Sequence, residues 1–121
     1  MSVFVVLGLG FGDCGKGHTV AYLAQKHNAD LVVRFNGGGQ AAHNVTLADG
    51  RHHTFSQFGS GSFTPGCRTH LSQHMTISPG AMLAEEDHLV RRGVHNAFER
   101  ITIAETALVT SRFQVAANRL L

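Results

Sequence analysis

The sequence has few cysteines, prolines and charged residues. Its 121 residues include two cysteines, two prolines, no tryptophan and only 15% charged side chains. Cys14 and Cys67 are too few for a disulfide framework and do not form a paired CxxC metal motif. The first ten residues lack the basic start of a secretory signal. We therefore expect a protein of the reducing cytoplasm.

Charge and hydropathy argue against further classes of protein. Ten Lys and Arg against eight Asp and Glu give a net charge of +2, which is too balanced for a dedicated nucleic-acid-binding domain. Hydrophobic residues make up 43% of the chain and its mean hydropathy is zero, as expected neither of a membrane protein nor of a disordered chain. We expect one globular domain that binds neither nucleic acid nor membrane.

Glycine is the residue in excess. Most of the 14 glycines fall in three clusters, at residues 8–17, 37–39 and 59–66. Such clusters occur where the backbone turns sharply or approaches a ligand closely. Three of them in one small chain predict a binding surface.

The order of apolar runs predicts an α/β domain with a mostly parallel sheet. The β-branched run at residues 3–7 predicts a strand buried on both faces, and residues 31–35 predict a second strand. Between them, apolar residues recur at helical spacing over residues 16–27. The face of this helix that should meet the sheet consists of Val20, Leu23, Ala24 and His27. Strand, glycine loop, helix and strand follow one another as in a βαβ unit.

The middle of the chain carries clear turn and capping residues. Asp49-Gly50 predicts a β-hairpin between residues 44–47 and 51–55. Ser78-Pro79 predicts the start of a helix, and Gly93 predicts its end.

Two further strands and a last helix are expected after the hairpin. Residues 69–77 and 100–103 predict the strands. Ser111 and Gln114 form a capping-box pair that opens an amphipathic helix, and this helix continues to the last residue. Because the sequence stops within a helix, we expect residues 1–121 to be the N-terminal part of a larger domain.

Residues 10–17 fit two phosphate-binding templates. Gly10, Gly12 and Gly15 fit the GxGxxG of dinucleotide sites. That template expects an acidic residue at the end of the second strand, where the sequence has Arg34. The dinucleotide interpretation is therefore disfavoured.

The second template is the P-loop, GxxxxGK, which Gly10, Gly15 and Lys16 satisfy. Gly17 stands where Ser or Thr would bind Mg²⁺, so Asp13 inside the loop is the expected metal ligand. An ammonium at a helix N-terminus favours phosphate binding. The alternative is a tight glycine turn with a solvated lysine.

Cysteine and histidine chemistry is a less favoured alternative. Cys14 near a helix N-terminus could act as a nucleophile with His43, but no third, orienting residue is visible. The nine histidines include no HExxH motif, so most are expected at the surface or hydrogen-bonded in the core.

Three ordered motifs resemble the N-terminal region of adenylosuccinate synthetase. They are GDCGKG at residues 12–17, VVRFNGG at residues 32–38 and QAAHN at residues 40–44. The family has GDEGKGK, VVR-aromatic-x-GG and NAGHT in the same order and with similar spacing. The likeness continues to Glu99-Arg100, so it covers essentially the whole chain.

The resemblance implies a GTP- and Mg²⁺-dependent ligase of purine nucleotide biosynthesis that joins inosine monophosphate (IMP) to L-aspartate. In the family an aspartate side chain removes the N1 proton of IMP while O6 takes the γ-phosphoryl group of GTP, and the amine of the substrate aspartate then displaces phosphate. The resemblance also implies a homodimer. Family enzymes are several times longer, and their guanine-selecting, IMP-phosphate and aspartate-binding segments lie beyond the matched part.

The matching positions carry implied roles. Asp13 matches the base and Mg²⁺ ligand, His43 matches the general acid, and Ala42 matches a glycine whose carbonyl helps to hold Mg²⁺. The implied GTP-binding residues are Gly12, Asp13, Cys14, Gly15, Lys16, Gly17, His18, Ala42, His43 and Asn44. The implied IMP-binding residues are Asp13, Cys14, Gly15, Lys16, Gln40, Ala41, Ala42 and His43.

Four residues differ from the family motifs, and all four are among the implied nucleotide-binding residues. Cys14 replaces a glutamate, His18 a lysine, Gln40 an asparagine and Asn44 a threonine. The implied base and acid stay in place, which favours a retained reaction with an altered nucleobase or amine substrate, as in phage-type relatives that use dGMP. The alternatives are a nucleotide-phosphate-binding module without ligase turnover and a purely structural α/β domain.

Overall fold

The computed structural model describes residues 2–10, 12, 14–39 and 42–120. Within these ranges no helix is long and apolar enough to cross a membrane. The elements in order are α1 (Lys16–Lys26), β1 (Leu31–Gly37), β2 (His43–Thr46), β3 (His52–Phe55), β4 (Arg68–Ile77), α2 (Pro79–Arg91), a 3₁₀ turn (Phe98–Arg100), β5 (Ile101–Ile103), β6 (Leu108–Val109) and α3 (Arg112–Leu120).

Strand β4 is the centre of a parallel sheet. It lies between β1 and β5, and its last two residues pair with β6, all three pairings being parallel. Strands β2 and β3 form a separate antiparallel hairpin. The predicted fold class, an α/β domain with a mostly parallel sheet and a β-hairpin, is confirmed.

One hydrophobic core joins the sheet, the hairpin and α2. Its large, fully buried side chains include Phe55 of β3, Phe58 in the loop that follows, Leu71 and Met75 of β4, and Leu89 of α2. The core therefore fixes the hairpin and α2 relative to the central strand.

Helix α1 occupies nearly the predicted residues but turns a different face inward. Its buried residues are Gly17, Ala21 and Ala24, and of the four residues predicted to face the sheet only Ala24 is buried. Small side chains four and three residues apart form one stripe along a helix, which lets its backbone approach β2 closely. The prediction followed side-chain hydropathy, whereas the packing selects small size.

The strand predicted for residues 3–7 is absent, and this prediction was wrong. The segment has no strand partner among the described residues, and Val3 and Leu7 are 81% and 72% exposed. Its Phe4 ring contacts that of His27, the residue that follows α1, with the ring centroids 4.6 Å apart. A strand buried on both faces needs neighbouring strands to bond its N–H and C=O groups, and an apolar run by itself does not supply them.

The later helices confirm their predicted capping residues. Ser78 Oγ accepts a hydrogen bond from the Ala81 N–H at 3.4 Å at the start of α2, and Gly93 just beyond its end has φ of +86°. At α3 the Ser111 N–H donates to Gln114 Oε1 at 2.7 Å, and the Gln114 N–H donates to Ser111 Oγ at 3.3 Å. Strand β6, which was not predicted, is only two residues long.

A buried carboxylate binds the backbone that follows β3. Glu85 of α2 accepts hydrogen bonds from Ser56 N–H (3.1 Å), Ser56 Oγ–H (2.8 Å), Gln57 N–H (2.7 Å) and Phe58 N–H (3.2 Å). His53 Nε2 lies 3.5 Å from Glu85 Oε1. Burial alone raises the pKa of Glu85, but the His53 ring and these hydrogen bonds outweigh it and hold the pKa below its ordinary value.

A buried guanidinium binds the same backbone from the other side. Arg34 of β1 donates to the carbonyl oxygens of Ser56 and Phe58. Burial lowers the pKa of Arg34, while attraction to Glu85 raises it. We call this arrangement, in which Arg34 and Glu85 hold residues 56–58, the 56–58 clamp.

Candidate active site

The glycine loop ends at the first turn of α1. Gly12 and Gly15 both have φ of +71°, in the left-handed region that favours glycine. Gly15 is the N-cap residue of α1, no described side chain caps the helix, and its first turn holds no acidic residue. The N–H groups of this turn can therefore bind an anion such as phosphate.

Lys16 contacts the cysteine of the same loop. Its Nζ donates to Cys14 Sγ at 3.3 Å. A Cβ added at Gly8 would lie 2.7 Å from both Cys14 Sγ and Lys16 Nζ, so the preceding segment closes on these two side chains. Two of the predicted phosphate-site residues thus lie together, with the lysine ammonium at the mouth of the loop.

His43 is brought against the start of α1. A Cβ added at Gly17 would lie 2.5 Å from His43 Cβ and 3.1 Å from His43 Cα, closer than two such groups can approach. Gly17 is buried and His43 is half-buried. Glycine at position 17 therefore permits an approach that places the predicted acid beside the helix N-terminus.

Asn44 and His18 are not brought to the same point as His43. Successive residues of a strand point to opposite faces, so Asn44 faces away from the side that carries His43. Its Oδ1 accepts a hydrogen bond from Thr54 Oγ1 across the hairpin. His18 is exposed on the first turn of α1, without a described contact to His43.

Three predicted site residues, Asp13, Gln40 and Ala41, lie outside the described residues, and Ala42 is exposed. Within the described ranges no group of three or more His, Cys, Asp or Glu side chains could hold a metal ion. Mg²⁺ in nucleotide sites takes only one or two protein oxygens besides phosphate oxygens and water. A magnesium carried by a nucleotide is therefore compatible with this site.

The second glycine cluster, residues 37–39, packs against the end of β4. A Cβ at Gly38 would meet Thr76 Cβ at 3.4 Å, and one at Gly39 would meet Gln57 Nε2 at 3.6 Å. Gln57 is fully buried, donates to the Thr76 carbonyl at 3.4 Å and accepts from the Ser78 N–H at 3.2 Å. The turn that precedes β2 is thus supported by β4 and by the clamp.

Arg34 and Glu85 support the site and were not predicted to do so. Glu85 lies three residues after Met82 and four before Leu89, and these are the buried residues of α2. Helical spacing alone places its carboxylate on the core face, where a charge needs partners. This spacing is the feature of the sequence that could have identified Glu85 as a buried carboxylate.

Comparison with known proteins relates the whole chain to one family. The family model of adenylosuccinate synthetase matches residues 5–121. The adenylosuccinate synthetase of Mycolicibacterium vanbaalenii is 33% identical over 119 residues, which are 98% of this chain and 27% of that protein. That of Magnetococcus marinus is 36% identical over 105 residues, 87% of this chain and 24% of that protein. The chain thus spans about a quarter of the length of these relatives.

Two solved structures share the fold. Fully ligated adenylosuccinate synthetase from Plasmodium falciparum superposes with a TM-score of 0.78 at 21% identity, covering 94% of this chain and 25% of that one. Succinoaminodeoxyadenylate synthetase of cyanophage S-2L, bound to dGMP and to dATP as an energy donor, gives a TM-score of 0.65 at 18% identity, covering 88% and 29%.

Proposed function

Since the chain belongs to the adenylosuccinate synthetase family, we propose that it forms the phosphate-handling part of a GTP-dependent ligase. The ligase joins IMP, or a related purine nucleotide, to L-aspartate through a 6-phosphoryl intermediate in purine nucleotide biosynthesis. The observation that carries the proposal is the approach of Gly17 to His43, which sets a candidate general acid beside an uncapped helix N-terminus.

The proposed phosphate site uses the loop backbone and one lysine. The N–H groups of the first turn of α1 bind phosphate oxygens of GTP, and Lys16 adds a charge-assisted hydrogen bond. To do so Lys16 exchanges the Cys14 sulfur, a weak acceptor, for a phosphate oxygen. His43 donates to the phosphoryl group in transfer, a bond that strengthens as negative charge develops there.

The proposed base is Asp13, which takes the N1 proton of the purine nucleotide. Asp13 and the Ala42 carbonyl are the proposed Mg²⁺ ligands, on the strength of the loop's resemblance to the family. Bound Mg²⁺ neutralises charge on the phosphates. Loss of the N1 proton raises electron density on O6, so the base and the phosphoryl site act on neighbouring atoms of one ring.

The substituted positions bear on which nucleotide is used. Cys14, His18, Gln40 and Asn44 differ from the family motif, and Cys14 and His18 flank the described phosphate loop. The cyanophage protein, bound to dGMP with dATP as energy donor, shares this fold. We therefore include a purine nucleotide other than IMP among the proposed substrates.

The catalytic proposal is tested with a pair of histidine variants. His43→Ala should lower ligation by about 10²-fold or more, the usual contribution of a general acid, while GTP affinity changes only a few-fold. His52→Ala, an exposed histidine of the same hairpin, is the matched control and should leave both unchanged. The assay measures formation of the ligated nucleotide and release of phosphate. The protein assayed is the longest polypeptide encoded by the reading frame that contains this chain. An effect of His43→Ala on affinity alone would make His43 a binding residue.

A second candidate is a nucleotide-phosphate-binding module without turnover. The groups that the structure brings together at the site, the first turn of α1 and Lys16, are ones that bind phosphate, and this favours it. Saturable Mg²⁺-dependent GTP binding without aspartate-dependent phosphate release would identify this case.

We further propose that residues 1–121 are the N-terminal part of the synthetase domain and that the whole enzyme is a cytoplasmic homodimer.

A further inference from the structure

A cavity of about 370 Å³ lies beside the second half of α1. Its walls come from α1, the turn between β2 and β3, residues 60–66 and the segment that follows α2. Neither the described residues of the glycine loop nor His43 line it. The cavity is therefore separate from the candidate active site, although both adjoin α1.

Arg100 lines this cavity, and one of its N–H donors has no acceptor among the described residues. A guanidinium has five N–H donors. In Arg100, Nε donates to Asn96 Oδ1 at 3.0 Å, Nη1 to the carbonyls of Thr64 (3.1 Å) and Cys67 (2.8 Å), and Nη2 to the carbonyl of Ser62 (3.0 Å). The fifth N–H, on Nη2, has no acceptor in the part of the chain that the structure describes.

The positive charge of Arg100 also forms no ion pair within the part of the chain that the structure describes. All its acceptors are neutral, and no carboxylate of the described residues lies within 4.0 Å of its guanidinium. Among the described residues that line the cavity there is no Asp or Glu. A partly buried cation without an anionic partner favours the entry of an anion.

Arg51 also lines the cavity, but its charge is already paired with Asp49. Asp49 Oδ2 accepts from its Nε at 2.8 Å, and its guanidinium carbon lies 5.2 Å from the centre of the Phe63 ring. These contacts fix the side chain in place. Leu47, Phe63 and Val94 add apolar side chains to the lining of the cavity.

We propose that this cavity binds a small organic anion whose carboxylate or phosphate accepts the free Nη2–H of Arg100. The apolar body of the ligand packs against Phe63 and Val94. Both oxyanions satisfy the same donor, so the structure assigns the shared chemistry, and the probes below separate the two sources.

Gln25 provides the test because it is exposed on α1 and lines the cavity. Gln25→Glu adds a negative charge without changing size, and Gln25→Met removes polarity without adding charge. The probes are benzoate, phenyl phosphate and the uncharged phenol, titrated by calorimetry into the longest product of the reading frame. Circular dichroism spectra of both variants check that the fold is kept.

At least one anionic probe should bind saturably and about tenfold or more tightly than phenol. Gln25→Glu should weaken that binding about tenfold or more, and Gln25→Met should change it less than about threefold. Benzoate preferred over phenyl phosphate identifies a carboxylate ligand, and the reverse identifies a phosphate ester. Equal loss in both Gln25 variants, phenol binding as tightly as the anions, or no saturable binding up to about 10 mM would each overturn the proposal.

Discussion

Glu85→Gln should destabilise the fold strongly because it removes the negative charge of the 56–58 clamp. The wild-type carboxylate has no N–H donors and accepts four hydrogen bonds from residues 56–58. In the amide one oxygen becomes an NH₂ group. If this group takes the place of Oε2, it faces the Gln57 N–H. If it takes the place of Oε1, it faces the N–H groups of Ser56 and Phe58. In either orientation at least one buried N–H loses its acceptor.

The expected loss of free energy of unfolding is about 3–5 kcal/mol. Each buried donor left without an acceptor costs about 1–3 kcal/mol. Removing the charge of a buried, paired carboxylate, which here also weakens the attraction to Arg34, costs about 3–5 kcal/mol in all. Against a domain stability of about 5–15 kcal/mol this is a large share, equivalent to a fall of about 10 °C or more in Tm.

Urea unfolding followed by circular dichroism measures the loss, with Glu86→Gln as the matched control on the same helix. The control should change stability by no more than about 0.5 kcal/mol. The pKa of Glu85 is held below its ordinary value, so its contribution is complete above the unfolded-state pKa and is lost as pH falls through the folded-state pKa. The gap between wild type and Glu85→Gln should therefore narrow below about pH 4. A loss under about 1 kcal/mol, or a gap that widens in acid, would refute the reasoning.

Three further predictions concern the glycine loop and the cysteines. Gly17→Ala should destabilise the fold by about 1–3 kcal/mol in a thermal melt, because its Cβ would lie 2.5 Å from His43 Cβ; a rise in Tm, as usual for Gly→Ala within a helix, would contradict the packing of α1 on β2. Asp13→Asn should lower ligation about 10²-fold or more with the fold unchanged, and activity within a few-fold of wild type would remove Asp13 from the role of base. Cys14, which is exposed, should react with iodoacetamide well before the buried Cys67, whose thiol pKa is raised by burial; equal rates by mass spectrometry would show that the Cys67 environment is open.

The parts of the fold predicted from sequence are those set by neighbouring residues. Ser78, Pro79 and Gly93 bound α2 because capping and left-handed turns depend on residues within one helical turn. Asp49-Gly50 determines the hairpin in the same local way. The failure at residues 3–7 has the opposite cause, since a buried strand depends on partners distant in sequence.

The same distinction, between features set by neighbouring residues and features set by distant ones, applies to the candidate site. The glycine-loop motif predicted where α1 begins, and the structure places Lys16 and Cys14 in contact there. The contact between Gly17 and His43 could not be read from the motif, because it depends on how closely the small-residue face of α1 packs on β2. The partners of Glu85 likewise come from a loop almost thirty residues earlier in the chain.

The clamp has a consequence for how this region can vary between related proteins. Arg34 and Glu85 contact residues 56–58 mainly through main-chain carbonyl and N–H groups, which every amino acid except proline carries in full. The clamp itself therefore places little demand on which side chains residues 56–58 carry, and the demands on them come from elsewhere: Gln57 bonds Thr76 and Ser78, and Phe58 packs in the core. Apolar substitutions at position 58 that keep its size should be tolerated, whereas loss of the Arg34 or Glu85 charge should not. Drift in sequence can then proceed through this loop while its path over the end of β4, and the support it gives to the glycine turn, is preserved.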